Sequence, residues 1–171
     1  ADGEPRFRML EVVREFALEQ LEVSGESGEI KRLHTGFYAR LAETAEPELV
    51  SAKAAEWLNT LEQEHDNLRA ALEWSLANEP ETALRIVGAM IVFWVRRGHL
   101  SEGGKWTRAA LEIGGEEADA KLRAKAYWGI GRLSWRQGEL EAAERFYQES
   151  LRLAREIDDK NLICRSLGGL G

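Results

Sequence analysis

The feature that most constrains this chain is a correspondence with itself. Shifting the sequence by 40 residues places Gly98 on Gly138, Leu100 on Leu140, Trp106 on Phe146, Ala110 on Ser150, Leu111 on Leu151 and Ile113 on Leu153. One more shift carries Met90 through Ile130 to Leu170. A fixed period of this kind is the signature of stacked supersecondary units. The ordering of glycine, small and large residues describes a helix that ends at the glycine, a turn, and a second helix packing back with a small residue where the two backbones approach.

The rest of the pattern is helical too. Only three prolines occur, Pro5, Pro47 and Pro80, and apolar residues between them recur every three or four positions. From Met9 to Val23, Leu10, Val13, Ala17, Leu18 and Leu21 form one stripe, ended by Ser24-Gly25. A second helix, about 29 to 46, is expected to turn Leu33, Phe37, Tyr38, Leu41 and Ala45 inward and to stop before Pro47. Ser51 is placed to cap a third carrying Ala55, Leu58 and Leu61, and Asp66 offers a fresh cap for Leu68, Ala71, Leu72 and Leu76, so residues 51 to 78 read as one helix or two. Further helices are expected at about 81–97, 99–113, 117–137, 139–156 and from 160 onward. No segment alternates as a half-buried strand does, so the expected class is all-α, antiparallel hairpins stacked as a right-handed superhelix.

Composition narrows the setting. The 171 residues, 44% apolar and 31% charged, suit a soluble globular chain with a sizeable core. One cysteine, Cys164, allows no internal disulfide and fits a reducing cytoplasm, and no run is long enough to span a membrane. The first residues are not a signal peptide, and the chain opens without methionine and stops inside the periodic pattern, as expected of a piece of something longer. Net charge is −7, unevenly spread: residues 1 to 83 carry 8 Lys/Arg against 18 Asp/Glu, and residues 84 to 171 carry 15 against 12. An anionic partner is therefore tolerated by the second half only.

Ala124, Tyr127, Ile130, Gly131, Gly138, Leu140, Ala143, Tyr147, Ser150 and Leu151 resemble one tetratricopeptide (TPR) repeat, and Met90, Gly98, Leu100, Ala110 and Leu111 resemble a weaker preceding one. The departures are Gly103 where alanine is usual, Ile91 where a small residue is usual, and a period longer than the roughly 34 residues of the standard repeat. The longer period suits the variant repeats of large bacterial regulators.

The first half carries a second resemblance. Arg6-Phe7-Arg8-Met9-Leu10-Glu11, continuing through Val13-Arg14-Glu15-Phe16-Ala17, is similar to the junction leaving the winged-helix part of STAND ATPases. Trp57-Leu58, then Glu64-His65-Asp66-Asn67-Leu68-Arg69-Ala70-Ala71-Leu72-Glu73-Trp74, then Arg97-Gly98-His99-Leu100-Ser101-Glu102-Gly103 are similar to the segments that come after this junction in the same family. The resemblance implies a junction helix over 1–26, a divergent hairpin region over 27–80 and TPR-like repeats over 81–171, the last one cut short. It also implies the sensor or scaffold region of a regulator of the kind fused to LuxR-type or antibiotic-regulatory DNA-binding domains or, less often, to nucleotide cyclases.

Catalytic chemistry is hard to find in the sequence. Gly103-Gly104-Lys105-Trp106 is too short for a phosphate loop and lacks its hydroxyl, so no cofactor is expected here and any ATP site belongs to an upstream domain of the parent. His34, His65 and His99 are widely spaced with no i, i+4 pair, and His65 between Glu64 and Asp66 reads as a capping or interhelical group, so neither a metal nor a catalytic residue is assigned. Cys164 reads as a packed thiol.

The candidate site is a groove. Of six tryptophans, Trp57, Trp74 and Trp106 lie on apolar stripes and read as packing. In a TPR-like hairpin the first helix lines the concave side, and the groove-facing positions map onto Lys125, Trp128, Arg132, Trp135 and Arg136, and in the preceding repeat onto Arg85, Val92, Val95 and Arg96. Trp128, Arg132, Trp135 and Arg136 share one helix face. Either this face receives an acidic or aromatic ligand, with Arg pairing and Trp stacking, or Arg132 and Arg136 simply cover the tryptophans with their heads in water, paired to Glu139 or Glu141.

The leading reading is a non-catalytic module that binds a peptide, protein or small effector and biases its own upstream ATPase domain. The alternatives are nucleic-acid binding by the basic half and the same scaffold on a nucleotide cyclase. No membrane partner is expected. Leu162, Ile163, Leu167 and Leu170 are expected to lack cover, favouring a homodimer through the last helix.

Overall fold

The computed structural model describes residues 11–115 and 117–171, with the side chains at 11, 12, 14, 15 and 18 outside the description. The junction motif over residues 6 to 10 therefore lies outside it, as do Leu10 and Leu18 of the first stripe. The described residues form helices α1 (Glu11–Ser24), α2 (Ser27–Glu48), α3 (Ala54–Gln63), α4 (His65–Asn78), α5 (Pro80–Arg97), α6 (Leu100–Gly114), α7 (Ala120–Gln137), α8 (Leu140–Glu156) and α9 (Lys160–Leu170), with no strand among them. The expected all-α class is observed.

The chain divides into two compact units, Ala1–His34 and Thr35–Gly171. In the first, α1 closes at Ser24, whose hydroxyl donates to the Leu21 carbonyl before Gly25 turns the chain at φ 76°. Val13 and Ala17, which share the apolar stripe, are exposed, as are Phe16 and Val23. Periodic spacing identifies a face fit for burial; it does not by itself supply cover.

In the second unit the 40-residue period is written into the backbone. Helices α5 and α7 each have 18 residues and end on glycines of nearly identical conformation, Gly98 at φ 82°, ψ 10° and Gly138 at φ 83°, ψ 9°. This left-handed conformation is one that a side chain disfavours. Asp119 and Asp159, also 40 apart, each cap the next helix by accepting two backbone N–H bonds, from Lys121 and Leu122 and from Asn161 and Leu162. Short turns make α5/α6 and α7/α8 antiparallel hairpins, and α7 packs against both α5 and α9.

The main core gathers Leu61, Leu68, Leu72, Leu84, Ile86, Met90, Ile91, Phe93, Trp94 and Leu133, and Ala124, Leu153, Ala154 and Leu162 form a second cluster toward the C-terminus. There the Ser150 hydroxyl donates to the Ala124 carbonyl at 2.8 Å and Ser166 donates to Ser150 at 2.8 Å, joining α7, α8 and α9 through buried polar groups that are all satisfied.

Several expectations are corrected. Helix α2 buries Thr35, Ala39, Ala42 and Ala45, leaving Leu33 and Phe37 exposed, because a row of small side chains lets the helix lie close to its neighbours. Pro47 sits within its last turn instead of ending it; near a terminus the ring forfeits one hydrogen bond and the chain then turns away. Residues 51 to 78 are two helices broken at Glu64, with Ala54 buried instead of Ala55. Ser51 accepts the Lys53 N–H ahead of α3, and Asp66 caps nothing: it accepts from Arg69 on the surface at 2.8 Å. Leu162 is buried in the second cluster, while Leu167 and Leu170 are exposed as expected. Cys164 is exposed, because the inward face of α9 is that of Leu162 and Ser166.

Candidate functional site

Within the second unit the first helices of successive hairpins, α5 and α7, lie beside α9 and the end of α2, and a groove runs across them. One stretch, a cavity of about 350 Å³, is lined by Glu46, Pro47, Gly88, Ile91, Trp128, Arg132 and Arg165 among others. The next, about 410 Å³, shares Trp128, Arg132 and Arg165 and adds Trp135, Tyr147 and the glycines of the last turn of α9. Trp128 is the floor of both. Its position is flanked at 40-residue spacing by Gly88, over which the Lys125 stem lies, and by Gly168, which has open space around it.

A row of cations on these helices keeps the same period. Arg85, Lys125 and Arg165 stand on α5, α7 and α9 at 40-residue intervals. Arg85 donates two bonds to Glu43, at 2.8 and 2.7 Å, a forked pair that holds the Glu43 carboxyl below its usual range. Lys125 pairs with Glu46 of the same helix α2. Arg165 has no carboxylate partner among the described residues and lies over the Trp128 ring, 5.1 Å from its centre. Arg132 lies over the same ring at 5.5 Å.

The sequence-derived residues therefore separate. Lys125, Trp128, Arg132 and Trp135 line the groove, Trp128 buried and Trp135 54% exposed. Arg85 is occupied by Glu43, and Arg96 and Arg136 are exposed outside the cavities that line it. Of the covering arrangement, Arg132 does lie over Trp128, but the glutamate pairing is not formed: Glu139 pairs with Arg108 and accepts from the Ser134 hydroxyl, and neither Arg132 nor Arg136 reaches Glu139 or Glu141. Arg165, Glu43 and Glu46 were not singled out from the sequence. One further shift from Lys125 reaches Arg165; the glutamates of α2 carry no periodic signal because α2 lies outside the repeat.

A second cluster joins residues distant in sequence. Glu62 at the end of α3, His65 at the start of α4 and His99 ahead of α6 bring one ligand atom each within 4.8 Å of one another. The rings of His65 and His99 lie 4.6 Å apart, and Phe93 packs edge-on to His65 at 5.2 Å. His65 is buried, and burial first, then Arg69 and His99, keep its pKa below the usual value against the pull of Glu102 and Glu62.

The fold and groove define an array of stacked antiparallel helical hairpins in which, among the described residues, two cations without carboxylate partners lie over an aromatic floor. The chain is similar to proteins named HTH-type transcriptional regulators in Mycobacterium bovis and in two strains of Mycobacterium tuberculosis, each 32% identical over 183 residues. The match takes in 99% of this chain but spans 20% of the length of those relatives. No family profile matches the chain, and no solved structure matches it. Among the described residues no helix is long and apolar enough to cross a membrane.

Proposed function

We propose that the chain is a non-catalytic, TPR-like interaction or effector-sensing scaffold of a larger STAND-type transcriptional regulator, and that its groove takes an acidic segment of a protein or peptide. The observation that carries this reading is the incomplete pairing of the cation row. Arg85 and Lys125 are met by Glu43 and Glu46, one helical turn apart on α2, whereas Arg165 and Arg132 present their guanidinium groups on Trp128 with no carboxylate among the described residues. Helix α2 thus illustrates the ligand chemistry in cis: carboxylates spaced to meet one cation per hairpin. The relatives' names supply the regulatory context, and their greater length leaves room for the ATPase and DNA-binding parts that the sequence resemblance implies.

The test is titration of the chain with a helical peptide carrying two glutamates at i, i+3, monitored by NMR of the tryptophan indoles. The Trp128 signal is expected to move, and an Arg132→Ala/Arg165→Ala chain to lose the response with its helical signal intact. An equal response from the double variant overturns the reading. Retention of single-stranded DNA with a steep salt dependence, abolished by the same variant, would replace it with the nucleic-acid alternative.

A further inference from the structure

We infer that Glu62, His65 and His99 form a binding site for a divalent transition-metal ion of the zinc type, which staples the α3–α4 corner to the α5–α6 turn. The ligand types are right for such an ion: two imidazoles and one carboxylate, the set that borderline metals select over calcium or magnesium. The spacing also fits. Nε2 of His99 lies 3.2 Å from Glu62 Oε1, and all three ligand atoms lie within 4.8 Å of one another. Donors about 2.0 to 2.2 Å from a common tetrahedral centre stand a little over 3 Å apart.

The surroundings are those of a built site. His65 is 6% exposed, and its Nε2 is buried without a hydrogen bond, a state that a protein interior rarely leaves uncompensated. Glu102 Oε1 lies 3.3 Å from that nitrogen, and Glu102 is itself gripped by Arg69 through two bonds of 2.7 Å. Because Glu102 stands on the same ring nitrogen, it is a further oxygen beside the ligand set and not an orienting partner on the opposite ring nitrogen. Phe93 walls the inner side at 5.2 Å from His65 and 5.7 Å from His99, while the half-exposed Glu62 and His99 leave a route from solvent and room for water in the remaining coordination position.

Two cations bear on the strength of binding. Arg97 lies 3.5 Å from Glu62 Oε2, and Arg69 is close to His65 through Glu102. Both oppose a dication, so the site holds its metal less tightly than an all-thiolate structural centre and is loaded or emptied by changes in free metal. Because the ligands come from α3, α4 and the turn before α6, occupancy draws two consecutive parts of the helical stack together within the second unit.

The experiment uses the metal-stripped full chain and zinc or cobalt(II) alone. One equivalent of zinc is expected to bind by calorimetry and to raise the thermal midpoint, and cobalt(II) to give the intense visible bands of a low-coordinate N/O site. His99→Ala and Glu62→Gln, both at partly exposed positions that tolerate change, are expected to weaken zinc by at least about tenfold, the loss that outer partners alone can cause, with the far-ultraviolet signal unaltered. Glu141→Gln, an exposed substitution elsewhere, is expected to leave binding unchanged. No stoichiometric binding, or binding equally strong in both ligand variants, overturns the inference.

Discussion

Ile91 and Gly129 fill one volume: a Cβ on Gly129 would stand 2.5 Å from Cγ1 of Ile91. The large residue on α5, where TPR-like repeats favour a small one, is matched by the absence of a side chain on α7. The same exchange explains Gly103, whose missing Cβ leaves room for the Trp94 ring at 2.7 Å. Gly129→Ala is expected to cost about 1 to 3 kcal/mol by overpacking. Ile91→Ala made in the Gly129→Ala background is expected to cost less than in the parent chain, because the second change removes the clash introduced by the first. Urea unfolding of the two single variants and the double measures the coupling, and strict additivity would contradict the shared volume.

The hairpin turns make a paired prediction. Because Gly98 and Gly138 share one left-handed conformation with open space around the missing Cβ, the cost of alanine at either is backbone strain alone. Each substitution is expected to destabilise by about 1 kcal/mol, and by similar amounts. Thermal melts of Gly98→Ala and Gly138→Ala that differ severalfold would break the equivalence of the two turns.

Titration of Glu43 reports on the row of cations. The bond from Arg85 lowers its pKa, with Lys125 and Arg40 adding to the effect against burial. A carboxyl lowered on folding contributes stability that is present above the unfolded value, about 4.3, and is lost as pH falls through the folded value. Arg85→Gln is expected to move the Glu43 carbon-13 titration upward and to flatten the acid limb of stability below about pH 4.3. The pair is more than a third exposed, so the loss at neutral pH is expected to stay within about 1 kcal/mol.

Cys164 provides a check on the orientation of α9. With Leu162 and Ser166 facing inward, the thiol is exposed and is expected to react with an aromatic disulfide reagent in the folded chain as fast as in the unfolded one. Protection by tenfold or more would mean that the helix is rotated.

Local and periodic features are legible in the sequence itself. The 40-residue spacing of Gly98 and Gly138 located the turns, and helices α5 to α9 begin and end close to where apolar spacing put them. Choices between faces were harder. On α2 the large Leu33 and Phe37 looked like the buried side, but the alanine row won, since close approach depends on what a neighbouring helix can accommodate and not on the size of one side chain. At the groove, Trp128 and Arg132 came from helix-face arithmetic, while the partners of Arg85 and Lys125 came from a helix outside the period. The Glu62–His65–His99 cluster is hidden for a related reason: linear spacing rejects a histidine pair 34 apart, and it is the return of α5 along α4 that brings Phe93 and then His99 back to the level of His65.

The register of Arg85, Lys125 and Arg165 sets a ruler. Helix α2, lying across α5 and α7, meets one positive charge for each hairpin it passes, through Glu43 and Glu46, so its carboxylates are spaced by hairpins and not by individual contacts. Inserting or deleting a hairpin would shift the acids that α2 must offer by a whole step, while a substitution within a hairpin alters only the strength of a single rung.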